Sequence, residues 1–266
     1  MPDKVTIRDC SIGYELKNGE GVTKLLLNGI GMSMNHWMPF VDAYSQHAPF
    51  LLHDFRGQLF SEKPRGGYSL QNHADDTVQL MDHLGIETAD IIGTSYGSEV
   101  AMEFAIAYPR RTRSLVIIDG VSELDPVLTA AVESWKSAAL SDPRVFYRSL
   151  IPWNYSAGYL ETHLAQLRER EELVAGLPQE YFQAFASLCD AFAEIDLTPR
   201  LEMIQCPSLV MVGENDILKH RGFARIIADN IAGSRLEIIP SAGHAVVIEQ
   251  PGEVARRTHD FLKQLE

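Results

Sequence analysis

Short, continuously apolar segments alternate with longer segments of helical periodicity through most of this chain, and this alternation constrains its fold most strongly. Apolar residues recur at helical spacing in residues 70–84, 98–108, 223–231 and 253–265. Strands that are apolar on both faces and separated by helices are typical of a parallel sheet covered on both sides. The sequence therefore predicts an α/β fold with a mostly parallel, eight-stranded sheet. Its strands are predicted at residues 5–8, 11–16, 25–28, 50–53, 90–93, 115–119, 208–213 and 236–240.

A helical segment without a clear strand interrupts this alternation between about residues 122 and 190. The segment is rich in aromatic side chains, and the strand–helix alternation returns after it. The economical interpretation is one α/β core, formed by residues 1–121 and 191–266, with a helical cap of residues 122–190 inserted after the sixth strand. A chain of 266 residues is long enough for a single domain of this kind.

Charge, cysteine content and hydropathy limit the partners and the compartment that we expect. Asp and Glu total 36 against 23 Lys and Arg, and the net charge of −13 would repel nucleic-acid phosphates. The three cysteines, Cys10, Cys189 and Cys206, are widely spaced and indicate neither a disulfide framework nor a zinc site. No secretory signal opens the chain, and no apolar run approaches the roughly 20 residues that span a bilayer. We therefore expect a cytoplasmic protein without nucleic-acid or membrane partners.

The motif Gly93-Thr94-Ser95-Tyr96-Gly97 joins a predicted strand to a predicted helix. A G-x-S-x-G motif occurs by chance in about one chain in ten of this length, so its strand–turn–helix context carries the argument. A sharp turn lifts the serine hydroxyl above the sheet and sets it at a helix N-terminus, which favours a developing negative charge. This context predicts a nucleophilic serine.

A serine hydroxyl is a weak nucleophile and needs a base. His244 follows the last predicted strand in a segment of small residues, at the carboxyl edge of the sheet where such folds bind ligands. His53, at the end of another strand, is its main rival, although packing beside Asp54 is the simpler interpretation there. His36 could line a pocket without acting as the base.

The base in turn needs an acid that fixes its tautomer and stabilises the imidazolium. Asp216 directly follows the seventh predicted strand and is the first candidate. Glu214 in the same turn is the second candidate, and Asp119 at the end of the sixth strand is the third. Aspartates at strand ends are often only turn formers. The order serine, aspartate, histidine after successive strands favours a catalytic role.

Two backbone N–H groups should face the oxyanion of an acyl-transfer reaction. Tyr96 supplies one because it directly follows the predicted nucleophile. The second should come from the loop of residues 28–31, and Ile30 is our candidate.

Taken together, these motifs resemble those of the α/β-hydrolase superfamily, in the branch with a helical cap that includes esterases and 3-oxoadipate enol-lactonases. The resemblance covers nearly the full length of the chain. It implies an acyl-enzyme route with Ser95, Asp216 and His244 as the triad, and it requires no metal or organic cofactor. The stretches that carry it are 25–31 (LLLNGIG), 54–57 (DFRG) with Ser61, 93–97 (GTSYG), 213–216 (GEND), and 243–244 (GH) followed by 249–251 (EQP).

Two positions depart from the pattern of this superfamily. Asn28-Gly29 stands where many members have His-Gly, although relatives that resemble enol-lactonases also carry asparagine there. Gln58 stands where a second glycine usually follows the Asp-x-Arg-Gly motif, which predicts an altered loop beside the pocket. Haloalkane dehalogenases use an aspartate nucleophile, and Ser95 argues against that activity.

The cap is expected to cover Ser95 and to contribute to an apolar pocket. The residues that we predict to line it are Gly29, Met34, Trp37, Trp135 and Trp153. Such a pocket suits a small or medium neutral ester, lactone or thioester. Four arginines of the cap could bind a substrate carboxylate, although each also stands where solvated surface residues are common: Arg144, Arg148, Arg168 and Arg170.

Two other functions remain open at this level. The same fold and triad occur in receptors that bind a small apolar ligand and barely turn it over, because fold does not determine function. A thioesterase or acyltransferase of a biosynthetic pathway would differ only in donor and acceptor. The sequence is compatible with a monomer or a homodimer.

Overall fold

The computed structural model describes residues 2–44 and 47–266, and in this part of the chain eight strands form one sheet. The strand order from edge to edge is β1, β2, β4, β3, β5, β6, β7, β8. Strand β2 pairs antiparallel with β1 and β4, and the other neighbours are parallel. This confirms the predicted sheet. The strands are β1 (Asp3–Ile7), β2 (Cys10–Lys17), β3 (Thr23–Leu27), β4 (Phe50–His53), β5 (Ala89–Thr94), β6 (Thr112–Ile118), β7 (Ser208–Gly213) and β8 (Arg235–Ile239).

Helices occupy most of the segments between the strands, and none within the described ranges is long and apolar enough to cross a membrane. They are α1 (Met38–Tyr44), α2 (Leu70–His83), α3 (Tyr96–Ala107), α4 (Pro126–Ser141), α5 (Pro143–Asn154), α6 (Ala157–Ala175), α7 (Gln179–Ala193), α8 (Arg221–Asn230), α9 (Val246–Glu249) and α10 (Pro251–Lys263). Helices α3, α8 and α10 begin two residues earlier than the apolar pattern predicts. In α10 the first residue is a proline, which suits a first helical position because the N–H there has no intrahelical acceptor.

Alternate residues of the central strands enter two apolar layers, one on each face of the sheet. Leu25 and Leu27 of β3 pack in the layer that contains α2, α3 and α8. Leu26 packs in the opposite layer with residues of α1, α9 and α10. Because both faces of the central strands are buried, these strands carry continuous apolar runs rather than alternating patterns.

Helices α4 to α7 lie between β6 and β7 in the chain, so the segment without predicted strands is helical. Their buried aromatic side chains join the apolar layer on the α3 side of the sheet, next to the carboxyl edge of β5. The members are Trp135, Phe146, Tyr181, Phe182, Phe185 and Phe192. We therefore propose that residues 122–190 act as a cap over the loops at this edge.

Candidate active site

Ser95 occupies the turn between β5 and α3 in a backbone conformation that non-glycine residues rarely adopt, with φ 51° and ψ −120°. Its N–H donates to the carbonyl oxygen of Ile118 at 2.9 Å, which anchors the turn to β6. The flanking glycines permit the close approach of neighbouring backbone. A Cβ on Gly93 would lie 2.2 Å from the Gly97 oxygen, and one on Gly97 would lie 2.1 Å from the Leu27 oxygen. The strained turn predicted from the motif is therefore present.

The imidazole of His244 forms hydrogen bonds with both Ser95 and Asp216. Its Nε2 lies 2.9 Å from Ser95 Oγ, and its Nδ1 lies 2.8 Å from Asp216 Oδ2. Because a carboxylate only accepts hydrogen bonds, Nδ1 carries the proton and Nε2 is left to accept the serine hydroxyl. Asp216, His244 and Ser95 thus form one continuous hydrogen-bonded chain that can remove the hydroxyl proton.

The carboxyl of Asp216 is held by its own loop. Its Oδ1 accepts the backbone N–H groups of Leu218 and Lys219, both at 2.8 Å. Burial alone raises the pKa of this carboxyl, but the charge and hydrogen bond of His244 and the two backbone donors outweigh burial and leave the pKa below its usual value. Asp216 is therefore ionised and can stabilise an imidazolium.

The rival candidates for base and second acid lie elsewhere. The Glu214 side chain is 44% exposed and its Oε2 accepts the Ser241 N–H at 3.0 Å. His53 is buried against Thr77, and burial lowers its pKa to about 4. Neither side chain contacts Ser95 or His244 in the described part of the structure.

Asp119, the third candidate acid, is close to the triad but differs from Asp216. Its Oδ1 accepts the Gly213 N–H at 2.8 Å, while its buried Oδ2 has no hydrogen-bond partner among the described residues. Burial, together with the charge of Asp216, raises the pKa of Asp119 well above its usual value.

Potential metal ligands also converge at this point. Within residues 2–44 and 47–266, the donor atoms of Asp119, Asp216 and His244 form the one such group, and they lie within 4.8 Å of one another. Both imidazole nitrogens already make hydrogen bonds, to Ser95 and to Asp216. A metal ion bound to either nitrogen would displace the hydrogen bond which that nitrogen makes and so interrupt the chain from Asp216 to Ser95.

The loop of residues 28–31 passes directly beside the predicted nucleophile. A Cβ placed on Gly29 would lie 3.4 Å from Ser95 Cβ. Ile30 and Tyr96 both line the cavity above Ser95, and the backbone N–H of neither donates to a described residue outside its own helix. Their assignment as the two oxyanion donors stays a prediction.

Gln58 fixes this loop from behind, a role that the sequence did not reveal. Its Nε2 donates to the Gly29 oxygen at 2.8 Å, and its Oε1 accepts the Asn28 side-chain amide at 2.9 Å. Asn28 also donates to Asp54 and accepts the indole N–H of Trp37 at 3.0 Å. Both departures from the superfamily pattern thus belong to one buried network under the loop.

The cavity above Ser95 has a volume of about 550 Å³ and is lined mainly by apolar side chains from the cap and the loop of residues 28–36. Of the predicted pocket residues, Gly29 and Trp135 line it. Met34 and Trp37 do not, because they pack in the opposite apolar layer. Trp153 lies behind Trp135, edge-on to it at 6.5 Å, and is likewise outside the cavity. The prediction for these three residues is wrong.

The remaining aromatic lining that the cap provides was not predicted individually. It comes from α5, from the residue after α5 and from α7, and consists of Phe146, Tyr147, Tyr155, Tyr181, Phe185 and Phe192. The aromatic composition of the segment indicated such a lining, but helical spacing alone did not distinguish side chains facing the cavity from those packing the cap. Lys219 also borders the cavity and was not singled out by any motif.

A sequence profile of the alpha/beta hydrolase family matches residues 25–257 of the chain. A RutD protein of Azorhizobium caulinodans, to which carbamate hydrolysis is provisionally assigned, is 28% identical and covers 89% of each chain. The 3-oxoadipate enol-lactonase 2 of Acinetobacter baylyi is 26% identical over 94% of this chain and 92% of its own.

Solved structures agree with this family. The alpha/beta hydrolase MGS-M2 from a Medee basin deep-sea metagenome library superposes with a TM-score of 0.93, at 26% identity over 98% of both chains. The enol-lactonase of Burkholderia xenovorans LB400 superposes with a TM-score of 0.88, at 25% identity over 98% of this chain and 100% of its own. The similarity therefore extends through the helices between β6 and β7 as well as through the sheet.

Proposed function

This chain belongs to the alpha/beta hydrolase family, and we propose that it is a serine hydrolase that cleaves a small or medium, largely apolar carboxylic ester or lactone. The observation that carries this proposal is the hydrogen-bonded chain from Asp216 through His244 to Ser95, with steps of 2.8 and 2.9 Å. The similarity to two enol-lactonases supports a lactone or ester as substrate.

The proposed reaction begins when Ser95 Oγ attacks the acyl carbon and His244 Nε2 takes its proton. Ionised Asp216 stabilises the resulting imidazolium, and the backbone N–H groups of Ile30 and Tyr96 hold the oxyanion. The intermediate collapses as His244 protonates the leaving alcohol. Water then attacks the acyl-enzyme, with His244 again as base, and releases the carboxylic acid.

The cavity supports the substrate class. Its volume of about 550 Å³ lies within the range of small-molecule sites, and its apolar side chains favour an acyl or alcohol part with little polarity. Attack on a lactone would open the ring and leave the new hydroxyl group on the acyl-enzyme until deacylation releases a hydroxy acid. An open-chain ester would instead release its alcohol before deacylation.

A carbamate is a second candidate substrate, because carbamate hydrolysis is provisionally assigned to the RutD relative. The same serine attack would give a carbamoyl-enzyme, which water would hydrolyse. Ester and carbamate hydrolysis differ here only in the group bound to the acyl carbon, so a common panel of substrates can compare them.

Labelling with a fluorophosphonate tests the reactive serine directly. We expect intact-mass spectrometry to find one adduct on the wild type and on Ser137→Ala, which removes an exposed serine of α4, and none on Ser95→Ala. A folded wild-type protein without an adduct on Ser95 would contradict the proposal.

Turnover then distinguishes an enzyme from a receptor. We expect steady hydrolysis of p-nitrophenyl butyrate and of a panel of lactones, thioesters and carbamates, abolished by Ser95→Ala. A single burst followed by a trapped acyl group would instead indicate a receptor. Transfer of the acyl group to added alcohols or thiols in preference to water would indicate an acyltransferase.

A further inference from the structure

The structure separates the four cap arginines that the sequence left equivalent. Arg144 forms hydrogen bonds of 3.0 and 2.7 Å to Glu172. Arg148 forms hydrogen bonds of 2.7 and 2.6 Å to Glu171. Both guanidinium groups are therefore neutralised by carboxylates of α6, and neither is available for a substrate anion.

The other two arginines belong to different cavities. Arg168 borders a second cavity between α5 and α6, together with Pro152 and Leu164. Arg170 borders the cavity that contains Ser95. Among the described residues, Arg170 has neither a hydrogen bond nor a carboxylate within 4.0 Å. Its guanidinium is thus an uncompensated cation on the wall of the candidate active site.

The surroundings of Arg170 place it where the cap faces the loop that follows β3. His36 and Tyr155 border the same cavity. Burial lowers the pKa of His36, and the positive charge of Arg170 lowers it further. Tyr155 is half-buried, and Arg170 opposes the rise of its pKa that burial causes. Arg170 therefore acts electrostatically on groups of both walls, and His36 adds no cation of its own at neutral pH.

Lys219 is the other basic side chain with a permanent charge on the cavity wall, and it is already paired. Its Nζ lies 2.8 Å from Glu99 Oε2, with both side chains buried, and 4.7 Å from the centre of the Phe192 ring. An anionic ligand would have to compete with Glu99 for this ammonium group. The cavity thus has a neutralised cation near α3 and a free one on α6.

We propose that Arg170 binds a carboxylate that the substrate carries away from its scissile acyl carbon, so that the preferred substrates are monoanionic esters or lactones with an apolar spacer. This inference rests on the proposed function, because it concerns the same cavity. A guanidinium offers a planar pair of donors that matches a carboxylate. The net charge of −13 repels anions from the rest of the protein, so a local cation is needed to hold one.

The test compares the hydrolysis of two matched series of methyl esters, and the protons that hydrolysis releases are measured. One series consists of monomethyl esters of dicarboxylic acids of graded length, and in the other a primary amide replaces the free carboxylate. A further series carries the carboxylate on the alcohol part. We expect wild type to prefer the carboxylate over the amide at one chain length in at least one arrangement. Arg170→Gln should reduce this preference in kcat/KM about tenfold, and Arg170→Lys should retain most of it.

Arg168→Gln is the matched control. It removes an exposed arginine from the same helix, but this arginine borders the other cavity. It should leave the preference within about twofold of the wild-type value. Rising salt concentration should weaken the preference in wild type but not in Arg170→Gln, because an exposed ion pair is screened.

Two results would overturn the inference: equal effects of Arg170→Gln on both series, or no preference in the wild type. The amide esters report the proposed function independently, since hydrolysis of them needs Ser95 but no carboxylate site. If neither series is hydrolysed, calorimetric titration can measure how tightly Ser95→Ala and the double variant Ser95→Ala/Arg170→Gln bind the carboxylate ester. A weaker affinity of the double variant would support the subsite, and equal affinities would overturn it.

Discussion

Lys219 Nζ lies 2.8 Å from Glu99 Oε2, and 2% and 0% of the two side chains are exposed. Lys219 belongs to the loop whose backbone holds the Asp216 carboxylate, and Glu99 belongs to the first turn of the helix that follows Ser95. The second oxygen of Glu99 accepts the Val121 N–H at 2.8 Å. The ion pair therefore joins the loops after β6 and β7 to the helix of the proposed nucleophile.

Removing one partner of this pair should destabilise the fold more than removing both. Glu99→Gln leaves a buried ammonium without a counter-charge, and we expect the free energy of unfolding to fall by roughly 3–5 kcal/mol. Lys219→Met should cost a similar amount, and the double variant should cost less than either single variant. Urea denaturation of the four proteins measures the coupling. Additive losses would mean that the two charges do not interact, and Arg144→Gln, which breaks an exposed pair, should change stability little.

Replacing Asp119 should have a much smaller effect on kcat than replacing Asp216, although both carboxyls are near His244. Among the described residues Asp119 forms no hydrogen bond to His244, so Asp119→Asn should leave the hydrogen-bonded chain to Ser95 intact, and asparagine tolerates the positive φ of 49° at this position. We expect kcat to stay within about tenfold of wild type, whereas Asp216→Asn should lower it by roughly 10⁴ through loss of the correct tautomer. Steady-state kinetics from pH 6 to 9 compare the two. Equal losses would mean that Asp119 contributes to catalysis as much as Asp216 does.

Gln58 should affect kcat through the loop that carries Ile30. Gln58→Ala removes the donor to the Gly29 oxygen and the acceptor for Asn28, which frees the loop beside Ser95. Direct loss of an oxyanion donor lowers kcat by roughly 10²–10³, so a displaced loop should lower it about tenfold, with little change in KM. The rate of fluorophosphonate labelling should fall in parallel. Gln71→Ala, on the exposed face of α2, is the control, and a change confined to KM would contradict the role of Gln58.

Local signals in the sequence were sufficient for the sheet and for the turn that holds Ser95. Strands buried on both faces have continuous apolar runs, and the glycines around Ser95 reflect close backbone contacts that leave no room for a Cβ. Boundaries were less accurate, and the short helix α1 was not predicted. Its buried residues Phe40 and Val41 pack against residues that are distant in the sequence, and a local pattern does not show these contacts.

Pocket residues could not be predicted from local patterns, because they depend on how the cap helices are oriented. Trp37 and Trp135 are both buried aromatic residues, yet only Trp135 faces the cavity. Trp37 packs in the opposite apolar layer, where its indole N–H donates to Asn28 under the loop. Similarly, the partners of Arg144 and Arg148 lie 28 and 23 residues away on another helix, so the sequence left all four arginines equivalent.

Two buried histidines should make the fold sensitive to acid. Burial lowers the pKa of His53 to about 4 and that of His73 to about 3, while it raises the pKa of Asp54 to about 6. Unfolded histidine has a pKa near 6.5 and unfolded aspartate near 3.9. Below pH 6.5 the unfolded chain therefore binds protons that the two folded histidines do not, which lowers stability as pH falls. Asp54 acts in the opposite direction, because between about pH 6 and 4 the folded protein binds the extra proton.

Taken alone, these three groups contribute a loss of roughly 3 kcal/mol in the free energy of unfolding between pH 7.5 and pH 5. His73→Phe should remove about 2 kcal/mol of this loss, because the ring lies among Phe55, Tyr68 and Tyr96 and its nitrogens have no partner among the described residues. Urea denaturation at several pH values measures the slope, and His83→Gln at the exposed end of α2 should leave it unchanged. A slope that His73→Phe does not reduce would mean that this ring binds a proton in the folded protein as readily as in the unfolded chain.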